Sequence, residues 1–139
     1  MRYKNINKLN NEISKLIILK ANEENKLKDL EYSILKANNF HELPPDTSRL
    51  HDETIIKFIE QREEITEKIK NIDKRINELN SQINNITNAV KNMPDCKIKT
   101  IMDMFFIQSE SIKYIIKATG YSRSSIYGLI RTKGGDYWW

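Results

Sequence analysis

The sequence predicts an all-α protein: a long antiparallel helical hairpin of coiled-coil character, followed by a small three-helix unit of helix-turn-helix type. Three observations predict it. Apolar residues recur at alternating steps of three and four over residues 4–37 and 52–93, the heptad period. Gly and Pro total only seven of 139 residues, too few turns for a β sandwich or a doubly wound α/β fold. Beyond Pro94 the long periods give way to three brief helical patterns.

In the first block the stripe is Ile6, Leu9, Ile13 and Leu16, then Leu27, Leu30, Ile34 and Ala37. Lys20 and Glu23 fall in the same register and interrupt it, and Ile17, Ile18 and Leu19 widen the apolar face just before the gap. Residues 38–51 break the pattern. Pro44-Pro45 with flanking Asn, Asp and Ser marks a loop, and Phe40, Leu43 and Leu50 give it something to pack with.

The second block is the clearest. Ile55, Phe58, Arg62, Ile65, Ile69, Ile72, Ile76, Leu79, Ile83, Ile86, Val90 and Met93 form one seam, with Arg62 its single polar member. Arg62 either snorkels with its stem packed, the favoured reading, or pairs with an acid such as Glu31 or Glu23 and sets register. At ~1.5 Å per residue this helix is ~60 Å long. A tethered partner helix costs less entropy than a separate chain, so the two blocks fold back on each other. Tyr32, Leu35, Ile55, Ile56, Phe58 and Ile59 then widen the core beside the loop. Two thin stripes bury little, and Ile at both core positions favours more than two strands. The hairpin, residues 1–93, is therefore expected to form a homo-oligomer, with a dimer favoured, through Ile65, Ile69, Ile72, Ile76, Leu79, Ile83 and Ile86.

Residues 94–139 form the second region. Met93-Pro94-Asp95 stops the long helix. The short helices are expected at Lys97 to Ile107, with Ile98, Ile101, Met102, Phe105 and Phe106 inward; at Ile112 to Thr119; and from Arg123 to about Lys133. Gly120 sits where the chain must turn through positive φ, Tyr121 fills the angle, and Ser122 caps the last helix. Ile126, Leu129 and Ile130 face inward, leaving Arg123, Ser124, Ser125, Tyr127, Gly128 and Arg131 outward. Between residues 111 and 133 there are five basic and no acidic residues, against seven basic and eight acidic in 52–93. An acid-free helical pair with small polar residues at a helix start suits phosphates and base edges of double-stranded DNA. Arg123 is the foremost base-reading candidate, beside Ser122, Ser124, Ser125 and Tyr127, while Lys113, Lys117, Arg131 and Lys133 would meet phosphate. The closing Gly134-Gly135-Asp136-Tyr137-Trp138-Trp139 is read as folding back over Phe105 and Phe106, or as docking on a partner.

The stretch Met93-Pro94-Asp95, Met102-Asp103-Met104-Phe105-Phe106, Ser111-Ile112-Lys113-Tyr114-Ile115-Ile116 and Gly120-Tyr121-Ser122-Arg123-Ser124-Ser125-Ile126-Tyr127 resembles the DNA-binding region four of sigma factors. More narrowly, it is similar to small phage regulators of the RinA and ArpU type. The resemblance covers about 45 residues and implies a phage or prophage regulator that binds promoter DNA and contacts RNA polymerase. Two alternatives stay open: a small terminase-like DNA-packaging subunit, and a helical protein-interaction scaffold that binds no DNA.

Other chemistry has little to stand on. The single cysteine, Cys96, excludes an internal disulfide and is read as a small packed hydrophobe in a reducing compartment. His41, Glu42, Asp46, His51 and Asp52 match no metal-ligand spacing. Glu63, Glu64 and Glu67 read as surface partners of Lys68 and Lys70. No nucleophile–base pair or phosphate-cradling loop occurs, so no enzyme, cofactor or metal is expected. No run of ~18 apolar residues and no apolar leader core is present, so a cytoplasmic protein with no membrane partner is expected. The net charge of +4 is concentrated in the last helices and in residues 1–37.

Overall fold

The computed structural model describes residues 4–38 and 48–134. They form five helices: α1 (Ile6–Asn38), α2 (Ser48–Lys91), α3 (Lys97–Met102, prolonged by a π-helical turn Asp103–Ile107), α4 (Ile112–Thr119) and α5 (Arg123–Gly134). No strand occurs among the described residues. The candidate loop residues Phe40, His41, Glu42, Leu43 and Asp46, and the tail residues Tyr137, Trp138 and Trp139, lie outside them.

The loop expected to reach residue 51 is shorter, because α2 already begins at Ser48. Ser48 and His51 occupy the stripe register without being apolar, so periodicity does not announce this first turn. Once a helix is nucleated, adding a turn costs little. At its other end α2 closes at Lys91, where Asn92 N–H donates to Asn88 O at 3.0 Å and Met93 N–H to Val90 O at 3.2 Å.

By its contacts the chain falls into two units, Lys15–Arg75 and Met1–Ser14 with Ile76–Trp139, a division that does not follow Pro94. In the first unit α1 and α2 run antiparallel. Lys20 Nζ lies 2.8 Å from Asp73 Oδ1 and Arg62 Nε 4.0 Å from Glu31 Oε1, so eleven residues onward on one helix is eleven back on the other. The helix faces follow the heptad reading. Leu16, Lys20, Glu23, Leu27, Leu30 and Ile34 are half-buried on α1, as are Ile55, Phe58, Ile65, Ile69 and Ile72 on α2, and off the seam only Asp73 joins them. From Lys15 to Lys36 and from Glu53 to Arg75 no residue is fully buried, because two helices alone can cover only the stripe between them. Arg62 does both things considered for it. Its side chain stands 59% exposed while its guanidinium reaches Glu31.

The second unit holds the core. Leu9 of α1, Leu79, Ile86 and Val90 of α2, Ile101 and Met102 of α3, Phe106, Ile115 of α4, and Ile126 and Ile130 of α5 are at most 2% exposed. Of the residues expected to join separate chains, Leu79 and Ile86 are thus completely covered within one chain, and Ile76 and Ile83 are half-buried.

The π turn explains the density of buried residues after α3. Gln108 N–H donates to Asp103 O at 2.9 Å, five residues back, and Glu110 N–H to Met104 O at 2.8 Å. The wider turn lets Met104, Phe105 and Phe106 all face inward, where a regular helix would rotate consecutive residues about 100° apart. The Phe105 and Phe106 rings meet edge-on, 4.7 Å between centroids. Cys96 is exposed, correcting the expectation that it packs as a hydrophobe. It occupies the extended position just before α3, where the chain turns, and lines an open groove with Met93, Pro94 and Ile98.

Candidate nucleic-acid interface

α4 is framed by local chemistry legible in the sequence. Ser111 is its N-cap, its hydroxyl accepting from Tyr114 N–H at 3.1 Å. Gly120 ends it at φ 77°, in the left-handed region, with its N–H donating to Ile116 O at 2.9 Å. Only glycine adopts that conformation without a Cβ penalty. The chain then enters α5 through Tyr121, which is half-buried as expected of a residue filling the angle.

Ser122 caps α5: its Oγ accepts from Ser125 N–H at 3.2 Å and donates to Ser125 Oγ at 2.8 Å. Ser124 Oγ lies 3.3 Å from the same hydroxyl. The three serines therefore form one hydroxyl cluster at the helix start, with remaining hydrogen-bonding capacity toward solvent. α4 packs on α5, and both pack on α3. Ile115, Ile126 and Ile130 are buried and Ile112, Ile116 and Leu129 half-buried, as the spacing required.

The opposite side carries the candidate binding residues. Lys113, Lys117, Ser122, Arg123, Ser124, Ser125 and Arg131 are exposed, and Tyr127 is half-buried. Lys133 is within α5, and its side chain lies outside the described set. The start of α5 thus presents a positive helix end, one guanidinium and three hydroxyls together, able to accept an anion or a base edge.

One residue on this side, Tyr114, escaped the sequence reading, whereas Gly128 was expected to face outward. Tyr114 stands 50% exposed between Lys113 and Lys117. Its ring looks like a core residue in a helical pattern, and only the packing of α4 turns it out. Gly128 has no heavy atom within 4 Å of where a Cβ would project, so nothing inside the chain requires its missing side chain.

A further contact ties the start of α1 to this unit. Ser109, at φ 56°, offers its Oγ to Asn7 N–H at 3.2 Å, while Asn5 Oδ1 accepts from Lys8 N–H at 3.0 Å. Together they satisfy two of the amides a helix start leaves without partners. No sequence pattern announces a cap supplied from a hundred residues away.

Among the described residues no group of His, Cys, Asp or Glu gathers as metal ligands, and no helix is long and apolar enough to cross a membrane. No curated protein and no solved structure matches the chain. Residues 45–134 match a family described as a protein of unknown function, DUF1492, a span that takes in all of α2 and runs to the last residue of α5. Because that span is well over half of the chain, the protein belongs to the DUF1492 family.

Proposed function

We propose that the protein is a sequence-specific DNA-binding transcriptional regulator of phage or prophage type, acting as a homodimer in the bacterial cytoplasm. α4, the Gly120 turn and α5 are read as a helix-turn-helix similar to region four of sigma factors, with α5 as the recognition helix. The observation that carries this reading is the outer side of α4 and α5. It exposes Lys113, Lys117, Arg123 and Arg131 around the Ser122–Ser125 hydroxyl cluster, and residues 111–133 contain no acidic side chain. Arg123 reads base edges, Ser124, Ser125 and Tyr127 assist it, and the lysines and Arg131 contact phosphate. The promoter context and a contact with RNA polymerase follow from the resemblance to RinA- and ArpU-type regulators.

The test is footprinting on the protein's own genomic region, followed by affinity measurements at several salt concentrations. Arg123→Ala should cost ~1–3 kcal/mol on the selected site. Lys117→Ala should weaken all duplexes about equally and flatten the salt dependence. Equal binding by the wild type and an Arg123→Ala, Arg131→Ala double variant overturns recognition through α5. A second reading, a protein-interaction scaffold, draws on the apolar side chains exposed on the hairpin, and complete absence of salt-dependent DNA binding would favour it.

A further inference from the structure

Of the residues expected to join two chains, Leu79 and Ile86 are buried within one chain and the other five are half-buried, so a partner has to reach exposed surface beside them. Among the described residues, eight large hydrophobic side chains are strongly exposed, and seven of them lie in the unit Lys15–Arg75. They are not evenly spread. An open groove on one flank of this hairpin is lined by Lys26, Asp29 and Ser33 of α1 with Gln61 and Glu64 of α2, beside the seam residues Leu30 and Ile65. That stretch of the flank is polar, and the exposed Ile17, Ile18 and Leu19 lie farther along α1. In the heptad register Leu35, Ile56 and Ile59 fall on the other flank, near the loop end, together with the two interhelical ion pairs. They stand 62, 56 and 49% exposed, with Tyr32 beside Leu35 at 64%.

We propose that this flank, centred on Leu35, Ile56 and Ile59, is where a second copy of the chain docks, the loop ends of the two hairpins side by side. The inference deepens the dimer reading above and does not depend on DNA binding. Area supports it. Four such side chains offer roughly 300–400 Å² of apolar surface per copy, the size of the largest single patch on many monomers, which is often a functional one. That is about half of the ~800 Å² per partner of a specific interface, and the stems of neighbouring Lys and Glu side chains and the half-buried seam are to supply the rest.

Charge selects the partner. Beside the patch α2 carries Glu60, Glu63 and Glu67. On α1 the acids Glu24 and Glu31 already face Lys20 at 3.9 Å and Arg62 at 4.0 Å, and Lys28 is the basic residue of that edge. One edge of the face is acidic and the other is not. A two-fold axis along the hairpin lays α1 of each copy over α2 of the other, matching these edges while superposing the apolar patches. Such a self-complementary pairing is what an isologous dimer requires. The product is a four-helix arrangement in which the half-buried seam gains a second cover.

Light scattering on the full chain tests this, with circular dichroism as the control for folding. The wild type at tens of micromolar should show twice the 16.4 kDa chain mass. Leu35→Glu with Ile59→Glu should fall to a single chain mass with helicity retained. Where that pair loses helicity, Glu60→Lys with Glu63→Lys supplies the reading. These exposed helical substitutions place like charges across the proposed axis and should weaken the dimer at least tenfold. A monomeric wild type overturns both the dimer and this surface, leaving the patch to the chain's own loop or a foreign partner. A dimer unaffected by the variants overturns the surface alone.

Discussion

Replacing Gly128 with alanine separates what α5 needs for folding from what the proposed DNA binding would need. Gly128 lies in the interior of a helix of twelve residues, where glycine is ~1 kcal/mol worse than alanine because its backbone has more freedom to lose. Its φ is not positive, and the added Cβ would meet no heavy atom within 4 Å. The Gly128 carbonyl already accepts the Thr132 hydroxyl at 2.5 Å, and a methyl on the outer face leaves that bond in place. Gly128→Ala should therefore stabilise the protein by ~1 kcal/mol, a rise of roughly 4–8 °C in melting temperature for a unit of this size. If the outer face of α5 lies against the floor of a DNA groove, the same methyl holds the helix away from it. Affinity for the footprinted duplex should then fall at least tenfold, about 1.4 kcal/mol. Thermal melts followed by circular dichroism give the first number, and fluorescence anisotropy at fixed salt gives the second. A higher melting temperature with unchanged affinity would refute the close approach of this face to DNA. A lower melting temperature would refute the open space around Gly128.

Three further outcomes follow from the same geometry. Glu23 sits at a seam position with its side chain only 14% exposed, and its Oε2 has no hydrogen-bond partner among the described residues. Glu23→Leu should raise stability by ~1–2 kcal/mol in urea titration, and a decrease would show that the carboxylate is satisfied in solution. The Lys20 ammonium is held above its ordinary 10.5, first by its hydrogen bond to Asp73 and then by that carboxylate's charge, against a smaller opposing effect of burial. Because the folded value is the higher one, this stabilisation is present below about pH 10.5 and is lost as pH rises through the folded value. The melting difference between wild type and Lys20→Met should stay level from pH 7 to 9 and shrink above 10.5, and a difference that grows at alkaline pH contradicts the pairing. Ser122→Ala removes the cap on Ser125 N–H and should cost ~1 kcal/mol without DNA, read as faster amide exchange in the first turn of α5. Unchanged exchange there would mean that the cap contributes nothing.

Much of this protein was readable in one dimension because its helices are governed by short-range periodicity. From Ile55 to Met93 the seam positions are the buried or half-buried ones, and Arg62, the single polar member, is the one that is exposed. Gly120 and Ser122 were equally legible, since a cap or a left-handed turn depends on residues within one helical turn of it. Periodicity identifies a face and leaves open what covers it. Leu79 and Ile72 hold equivalent seam positions, yet one is fully buried and the other only half-buried, because the two lie in different packing units. The same reason applies to the burial of Leu79 and Ile86, the exposed Cys96, the outward ring of Tyr114 and the Ser109 hydroxyl on Asn7. Each depends on which distant segment arrives beside it. Sequence spacing alone therefore determined the helices, their faces and their local caps. The tertiary structure decided which faces are closed within the chain and which stay exposed.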